Sequence, residues 1–398
     1  MFDRVTGARD YLPAETAIRQ QVIDRLRAWF DAHGYAGIEL PVLEPTDLYV
    51  RKAGGPLLAK LYSFVEPGGA RVSLRPEFTA SAVRLYGEAR PDGGAAHWQY
   101  AGPVFRFDPA TPLRVWTQAG VEAIGSGGTA VDAGLLALAT GGLREVGIEG
   151  GTLVLGHVGV FGEALAGFGL SDRTASTILG GLETLSDPGG AETMRSTLAE
   201  LGLTATDPTA TDLKQALQTL GDDGARIVVR GLLESINVDL LGGRHPDEIV
   251  GRLLRKLGGW DDPAAVERAL QFAGDLALVR GPAREALSRA RSLFDAAALA
   301  VPSLIDLEAL VDALAAEGVL DVVVDFGLSR ELGYYSGFVF DLRHPRDGGQ
   351  SLCGGGRYDG LVRTLGGPDV PAAGFAYSVN ALADLLSAPV AQATVEAR

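Results

Sequence analysis

Apolar residues at Ile18, Val22, Ile23, Leu26, Trp29 and Phe30 recur at intervals of three and four, which predicts a helix over 14–33 with one buried face. Pro13 opens it and Gly34 closes it. A strand-like run follows at 37–45. From 62 to 125 the pattern changes to short β-like segments between glycine and proline turns, at 71–74, 96–100 and 119–124. A helix is predicted over about 130–146 and a strand over 152–158. Strands joined by hairpins and mixed with helices predict an α+β fold on an antiparallel sheet, not a doubly wound parallel one.

Between about 165 and 300 helical periodicity dominates, with segments at 173–185, 190–201, 212–218, 222–236, 246–257 and 263–272. This texture predicts an inserted helical module. β-like sequence returns at 322–326 and 337–341, and a helix is expected over about 378–386. The resulting borders are 1–164 for the first part of a core, 165–300 for the insertion, 301–390 for the second part and 391–398 for a polar, frayed tail.

Length allows more than one domain: 398 residues, with 46% apolar and 21% charged, suit a large core plus an additional module. Charge narrows the partners. With 35 Lys+Arg against 50 Asp+Glu the net charge is −15, and no basic run exceeds fragments such as Arg252-Leu253-Leu254-Arg255-Lys256. Nucleic-acid affinity comes mostly from neutralised phosphates, so extensive tRNA contact is disfavoured. The single Cys353 excludes an intrachain disulfide, and the five histidines lack metal-ligand spacing, so no metal or cofactor is expected. Asp3, Arg4, Arg9 and Asp10 interrupt any signal-peptide pattern, and no run approaches the roughly 18 apolar residues that span a bilayer. A cytoplasmic protein without membrane contact is the expectation.

The candidate chemistry is a set of arginines and carboxylates on strand-like segments: Arg75, Glu77, Arg106, Asp108, Gln118 with Glu122, Arg330 and Arg357. Buried alone, such groups cost several kcal/mol, so they are paired or exposed. A binding cleft and a structural ion-pair network both fit. His97 and His157 lie in strand-like segments and read as core histidines. Cys353 reads as a small core residue, and Gly354-Gly355-Gly356 as a tight strand entry, not a phosphate loop, since no Walker lysine follows.

Several segments in order resemble motifs of histidyl-tRNA synthetase, a class II aminoacyl-tRNA synthetase: Gly7-Ala8-Arg9-Asp10-Tyr11-Leu12-Pro13, Leu74-Arg75-Pro76-Glu77-Phe78-Thr79-Ala80, Gly102-Pro103-Val104-Phe105-Arg106, Arg330-Glu331-Leu332-Gly333-Tyr334-Tyr335-Ser336-Gly337 and Gly355-Gly356-Arg357-Tyr358-Asp359-Gly360. The resemblance covers about 1–160 and 305–390 and implies the class II fold, an antiparallel sheet with flanking helices. It also implies a histidine-like pocket. Glu77 and Thr79 match positions at the amino acid's ammonium, Gln118 and Glu122 the next polar pair, Tyr334 and Tyr335 the walls around an imidazole, and Arg330 the group facing the carboxylate. Arg106 matches a phosphate-contacting arginine.

The departures carry as much weight. Where the family's last motif ends Gly-Leu-Glu-Arg, this chain has Ser378-Val379-Asn380-Ala381, so the arginine that clamps triphosphate is replaced by alanine. Adenylyl transfer leans on fixed positive charge, which alanine cannot supply. Phe78 replaces a glycine and Gly333 an aspartate beside the pocket. The loop after Arg106 reads as shortened, and the chain stops at Arg398, before the family's anticodon-binding domain. This combination resembles the regulatory-subunit family of ATP phosphoribosyltransferase. That resemblance implies no catalytic residues. It also implies a hetero-oligomer in which the protein self-associates as a dimer with a short-form catalytic subunit, and a part in histidine biosynthesis with histidine as effector. A divergent ligase that still forms an aminoacyl adenylate and a free-standing amino-acid-binding protein are the alternatives.

Overall fold

A computed structural model of the chain describes residues 2–51, 55–108, 113–187, 189–203, 261–328 and 333–387, with isolated positions between 219 and 231. Contacts divide the chain into two units, one of 1–160, 280–291 and 302–398 and the other of 161–279 and 292–301. In the first unit the strands, in chain order, are β1 (Ala36–Gly37), β2 (Leu43–Pro45), β3 (Ser63–Val65), β4 (Arg71–Leu74), β5 (Ala96–Phe105), β6 (Val115–Ile124), β7 (Thr152–His157), β8 (Arg280–Pro282), β9 (Val322–Asp325), β10 (Phe338–Arg343), β11 (Ser351–Arg357) and β12 (Ala372–Ser378).

Nine of them form one sheet in the order β1-β5-β6-β12-β11-β10-β7-β9-β8. Every pairing from β5 through β7 is antiparallel, as the hairpin pattern predicts, and among the described residues parallel pairings occur only at β1 with β5 and β7 with β9. The longest ladder, β5 with β6, runs from Ala96↔Ile124 to Phe105↔Val115. A separate three-stranded sheet has the order β2-β4-β3.

One face of the large sheet is packed by helices. Phe30, on helix Pro13–Ala32, meets Phe375 of β12 at 6.0 Å between ring centroids, and Phe340 of β10 meets Phe375 at 6.1 Å. The Tyr377 hydroxyl donates to the carbonyl of Ala139 in helix Thr129–Glu145. Leu26 and Phe30 are fully buried, each worth roughly 1.5–3 kcal/mol over an exposed side chain. This supplies the core on that side; on the opposite face Val83, Tyr86, Leu361 and Val362 pack with Ala96, Ile124 and Ala372.

Several sequence expectations need correcting. The run at 37–45 is not one strand: β1 and β2 belong to different sheets, and Pro41 and Pro45 lack the N–H a continuous ladder requires. The helix expected over 173–185 is interrupted at Gly181. Helices Thr79–Ala89 and Pro302–Ala316 have no counterpart in the sequence reading, and the helix at 263 continues to Ala277. Gly354, Gly355 and Gly356 lie inside β11, not at its entry. Cys353 is buried as expected, but His97 is exposed. In the second unit, Gly190–Glu200 and Pro263–Ala277 are helical. The segments expected over 212–218, 222–236 and 246–257 lie largely outside the described residues, as does the tail from 391. Among the described residues no helix is long and apolar enough to cross a membrane.

Candidate ligand-binding site

Residues directly opposite in an antiparallel ladder point to the same side of the sheet. The register therefore sets Trp98, Tyr100, Gly102 and Val104 of β5 on one face with Glu122, Gly120, Gln118 and Trp116 of β6, and with Gly374, Ala376 and Ser378 of β12. This is the face opposite Phe375 and Tyr377. Glycine at 374 is what admits a carboxyl here: a Cβ there would lie 1.8 Å from Glu122 Oε2.

Glu122 is fully buried. Its Oε1 accepts from the Thr79 hydroxyl at 2.8 Å and the Tyr100 hydroxyl at 2.9 Å, and its Oε2 accepts from the Tyr358 hydroxyl. Burial pushes its carboxyl up to about 8; the three hydroxyl donors pull it down, and the charge of Glu77 pushes it further up. Glu77, itself 4% exposed, follows β4 and caps helix Thr79–Ala89, accepting the Ala80 N–H at 3.0 Å through Oε1. Burial raises its carboxyl above the usual range, against the N–H donors of Ala80 and Thr79 and the charge of Arg106. The two carboxyls share this enclosure, and the charge of Glu77 is part of what raises Glu122.

The enclosure is aromatic. Tyr334, buried, sits 4.9 Å from Tyr335 and 5.7 Å from Tyr358, the latter pair edge to face at 77°. Burial first, then Glu77, pushes the Tyr334 phenol well above its ordinary value; the Tyr100 and Tyr358 phenols are raised by burial and by Glu122. These hydroxyls stay protonated and remain donors at neutral pH.

Of the predicted site residues, Glu77, Thr79, Glu122 and Tyr334 meet in this enclosure, and Gln118 lies half-buried on the same sheet face. Tyr335 packs against Tyr334. Arg330 lies outside the described residues. Arg106 donates from Nε to the Pro76 carbonyl at 2.9 Å. Tyr100 and Tyr358 are missing from the sequence-predicted set although they donate to Glu122; period-two alternation from Gly102 would point to Tyr100, and Tyr358 lies inside a motif already singled out.

The arginines and carboxylates read together from sequence separate in space. Arg75 donates to the carbonyls of Pro103 at 2.8 Å and Leu40 at 2.7 Å. Asp108 pairs with Lys60 at 2.7 Å. Arg357 pairs with Asp132 and, at 2.7 Å, with Asp359, beside a cavity of about 450 Å³ that His157, Asp306 and Phe338 also line. The two glutamates belong to one enclosure, while Arg75, Asp108 and Arg357 make contacts elsewhere in the fold.

The segment that ends the sheet has taken a structural task. The Thr117 N–H donates to Asn380 Oδ1 at 2.8 Å, and Asn380 Nδ2 donates to the Tyr11 hydroxyl at 2.7 Å. The Arg19 guanidinium lies 4.0 Å from the centre of the Tyr11 ring. Ala381 is half-buried in the first turn of helix Val379–Ser387, its N–H donating to Ser378 Oγ at 3.3 Å. Among the described residues no group of His, Cys, Asp and Glu could hold a metal. What the enclosure brings together chemically is two buried carboxyls and several hydroxyl donors against an aromatic wall.

A family model described as histidyl-tRNA synthetase matches residues 7–237 and 252–382. The histidine–tRNA ligase of Thermococcus kodakarensis is 30% identical over 390 residues, 97% of this chain and 74% of the relative. That of Pyrococcus furiosus is 29% identical over 393 residues, 98% and 76%. Among solved structures, an ATP phosphoribosyltransferase regulatory subunit/histidyl-tRNA synthetase from Bacillus halodurans aligns with TM-score 0.67 at 23% identity, covering 98% of this chain and 84% of that one. A histidine–tRNA ligase subunit from Alicyclobacillus acidocaldarius aligns with TM-score 0.59 at 23% identity, over 97% of each chain. At that identity the structural likenesses establish the fold, that of the class II synthetases with a mixed sheet flanked by helices.

Proposed function

Because the chain belongs to the histidyl-tRNA synthetase family, we propose that it is a noncatalytic member of it: the regulatory subunit of ATP phosphoribosyltransferase, required by the short catalytic subunit for the first step of histidine biosynthesis and responsive to histidine. One observation carries this reading. The Glu77 and Glu122 enclosure is built and walled by tyrosines, while the segment that would bring an arginine to a triphosphate reads Ser378-Val379-Asn380-Ala381 and is tied to Thr117 and Tyr11. The name of the Bacillus halodurans neighbour supports it.

In this reading histidine's ammonium meets Glu77, Thr79, Gln118 and Glu122, its imidazole lies against Tyr334 and Tyr335, and Arg330 faces its carboxylate. Regulation is then linkage: histidine shifts the complex toward the state to which it binds more tightly. The protein acts in the cytoplasm as a dimer within a hetero-oligomer. Purified alone it is expected to show no phosphoribosyltransferase activity. Added to a short-form catalytic subunit it is expected to give activity that histidine inhibits. A catalytic subunit equally active and equally inhibited without it would overturn the proposal.

The second reading, a divergent ligase, has the histidine–tRNA ligases of Thermococcus and Pyrococcus in its favour. Ala381 in the arginine's place opposes it.

A further inference from the structure

On the site face the register lays out successive rows: Glu122 with Trp98 and Gly374, Gly120 with Tyr100 and Ala376, Gln118 with Gly102 and Ser378, and Trp116 with Val104. The carboxyl enclosure occupies the first two. Beyond the last row β5 runs out to Arg106, and beyond Ser378 the chain enters helix Val379–Ser387. Anything longer than a free amino acid, extended from the enclosure toward Arg106, has to lie over the Gly102 row.

That row is filled. A Cβ on Gly102 would stand 2.7 Å from Arg75 Nη2 and 3.2 Å from Phe78 Cζ, so the Arg75 guanidinium and the edge of the Phe78 ring together cover the glycine. The ring stacks on Tyr100 at 4.3 Å and 11°, and the Arg75 guanidinium covers it at 4.1 Å from the ring centre. Ile38, Leu40, Val104, Trp116 and Ala376 complete the cluster, and Phe78 is 2% exposed. Arg75 is fixed in turn by the carbonyls of Pro103 and Leu40. The ring is wedged between a tyrosine that donates to Glu122 and a guanidinium with no slack, so it is a fixed wall, not a lid.

We propose that Phe78 sets the length of ligand the pocket accepts: a free amino acid fits, and the same amino acid joined through its carboxyl to a nucleotide is rejected. The inference rests on the reading of the enclosure as a histidine pocket and adds a second barrier to adenylate chemistry, independent of Ala381. A methylene-ring wall in a close-packed cluster cannot yield without displacing Arg75 or Tyr100, and discrimination by steric exclusion needs only one such wall.

Titration calorimetry of the full chain with L-histidine and with the sulfamoyl analogue of histidyl adenylate tests this. Wild type is expected to bind histidine and to bind the analogue at least tenfold more weakly. Phe78→Gly is expected to improve binding of the analogue relative to histidine by at least tenfold. Phe78→Val removes the ring while keeping a branched side chain in the cluster; it should move the ratio the same way if the glycine variant melts below the assay temperature. Wild type binding the analogue as tightly as histidine overturns the inference and leaves the histidine pocket standing. An unchanged ratio in a folded Phe78 variant also overturns it. Wild type that binds neither compound removes the histidine reading, and the inference with it.

Discussion

At the scale of single residues the governing group is Glu122. Its proton is held more tightly in the folded chain than in an unfolded one, because burial and Glu77 outweigh three hydroxyl donors and lift it to about 8. A carboxyl shifted upward adds stability that is complete below its ordinary range and lost as pH rises toward the folded value. Stability is therefore expected to fall between pH 5 and pH 8.5. The loss is several kcal/mol at most, at about 1.4 kcal/mol per tenfold change in proton affinity. Urea titrations across that range check it: Glu122→Gln should flatten the slope, and a variant with an unchanged slope would assign the dependence elsewhere. Glu77 carries a double duty, since its carboxyl also caps helix Thr79–Ala89. Glu77→Ala is expected to abolish histidine binding in calorimetry and to cost about 1 kcal/mol through the lost cap. Glu77→Gln separates the two, keeping most of the cap while removing the charge.

At the scale of elements, the end of β12 and the start of the following helix are tied into the fold by side-chain hydrogen bonds. Asn380 ties that helix to the β6 backbone at Thr117 and to Tyr11 ahead of the first helix. Asn380→Ala leaves a half-buried N–H and a half-buried hydroxyl without these partners, which costs about 1 kcal/mol. A lower urea midpoint with an unchanged slope in denaturant is the expected signature. Of the β5–β6 hairpin only the halves at 96–100 and 119–124 were legible in sequence, next to glycine turns at one end; Gly102, Pro103 and the paired residues 115–118 join the ladder through strand pairing. The run at 37–45 was misleading because its apolar content matched a strand while its prolines denied it a ladder. Helix Thr79–Ala89 escaped notice because Thr79, Ala80, Ser81 and Ala82 give little contrast between faces; Val83 and Tyr86 become its buried stripe only against the rest of the unit.

At the scale of the whole molecule the question is whether a class II fold with this pocket still activates an amino acid. Two independent features speak against it: Ala381 in place of a clamping arginine and Phe78 over the Gly102 row. Histidine-dependent exchange of pyrophosphate into ATP is accordingly expected to be at background with the purified protein. Robust exchange would favour the ligase reading.

Ordered motifs made the fold family and most of the candidate pocket readable without coordinates, because residues at fixed offsets in a strand or helix keep their local geometry wherever the chain goes. Tertiary structure alone decided which charges belong together. Glu122 acquires Tyr100 and Tyr358 through side-chain hydrogen bonds that join residues 22 and 236 positions apart, while Arg357 is drawn away to Asp132. It also turned Phe78, a single departure in a motif, into a wall, since stacking between Tyr100 and Arg75 depends on the register of β5 and not on neighbours in sequence.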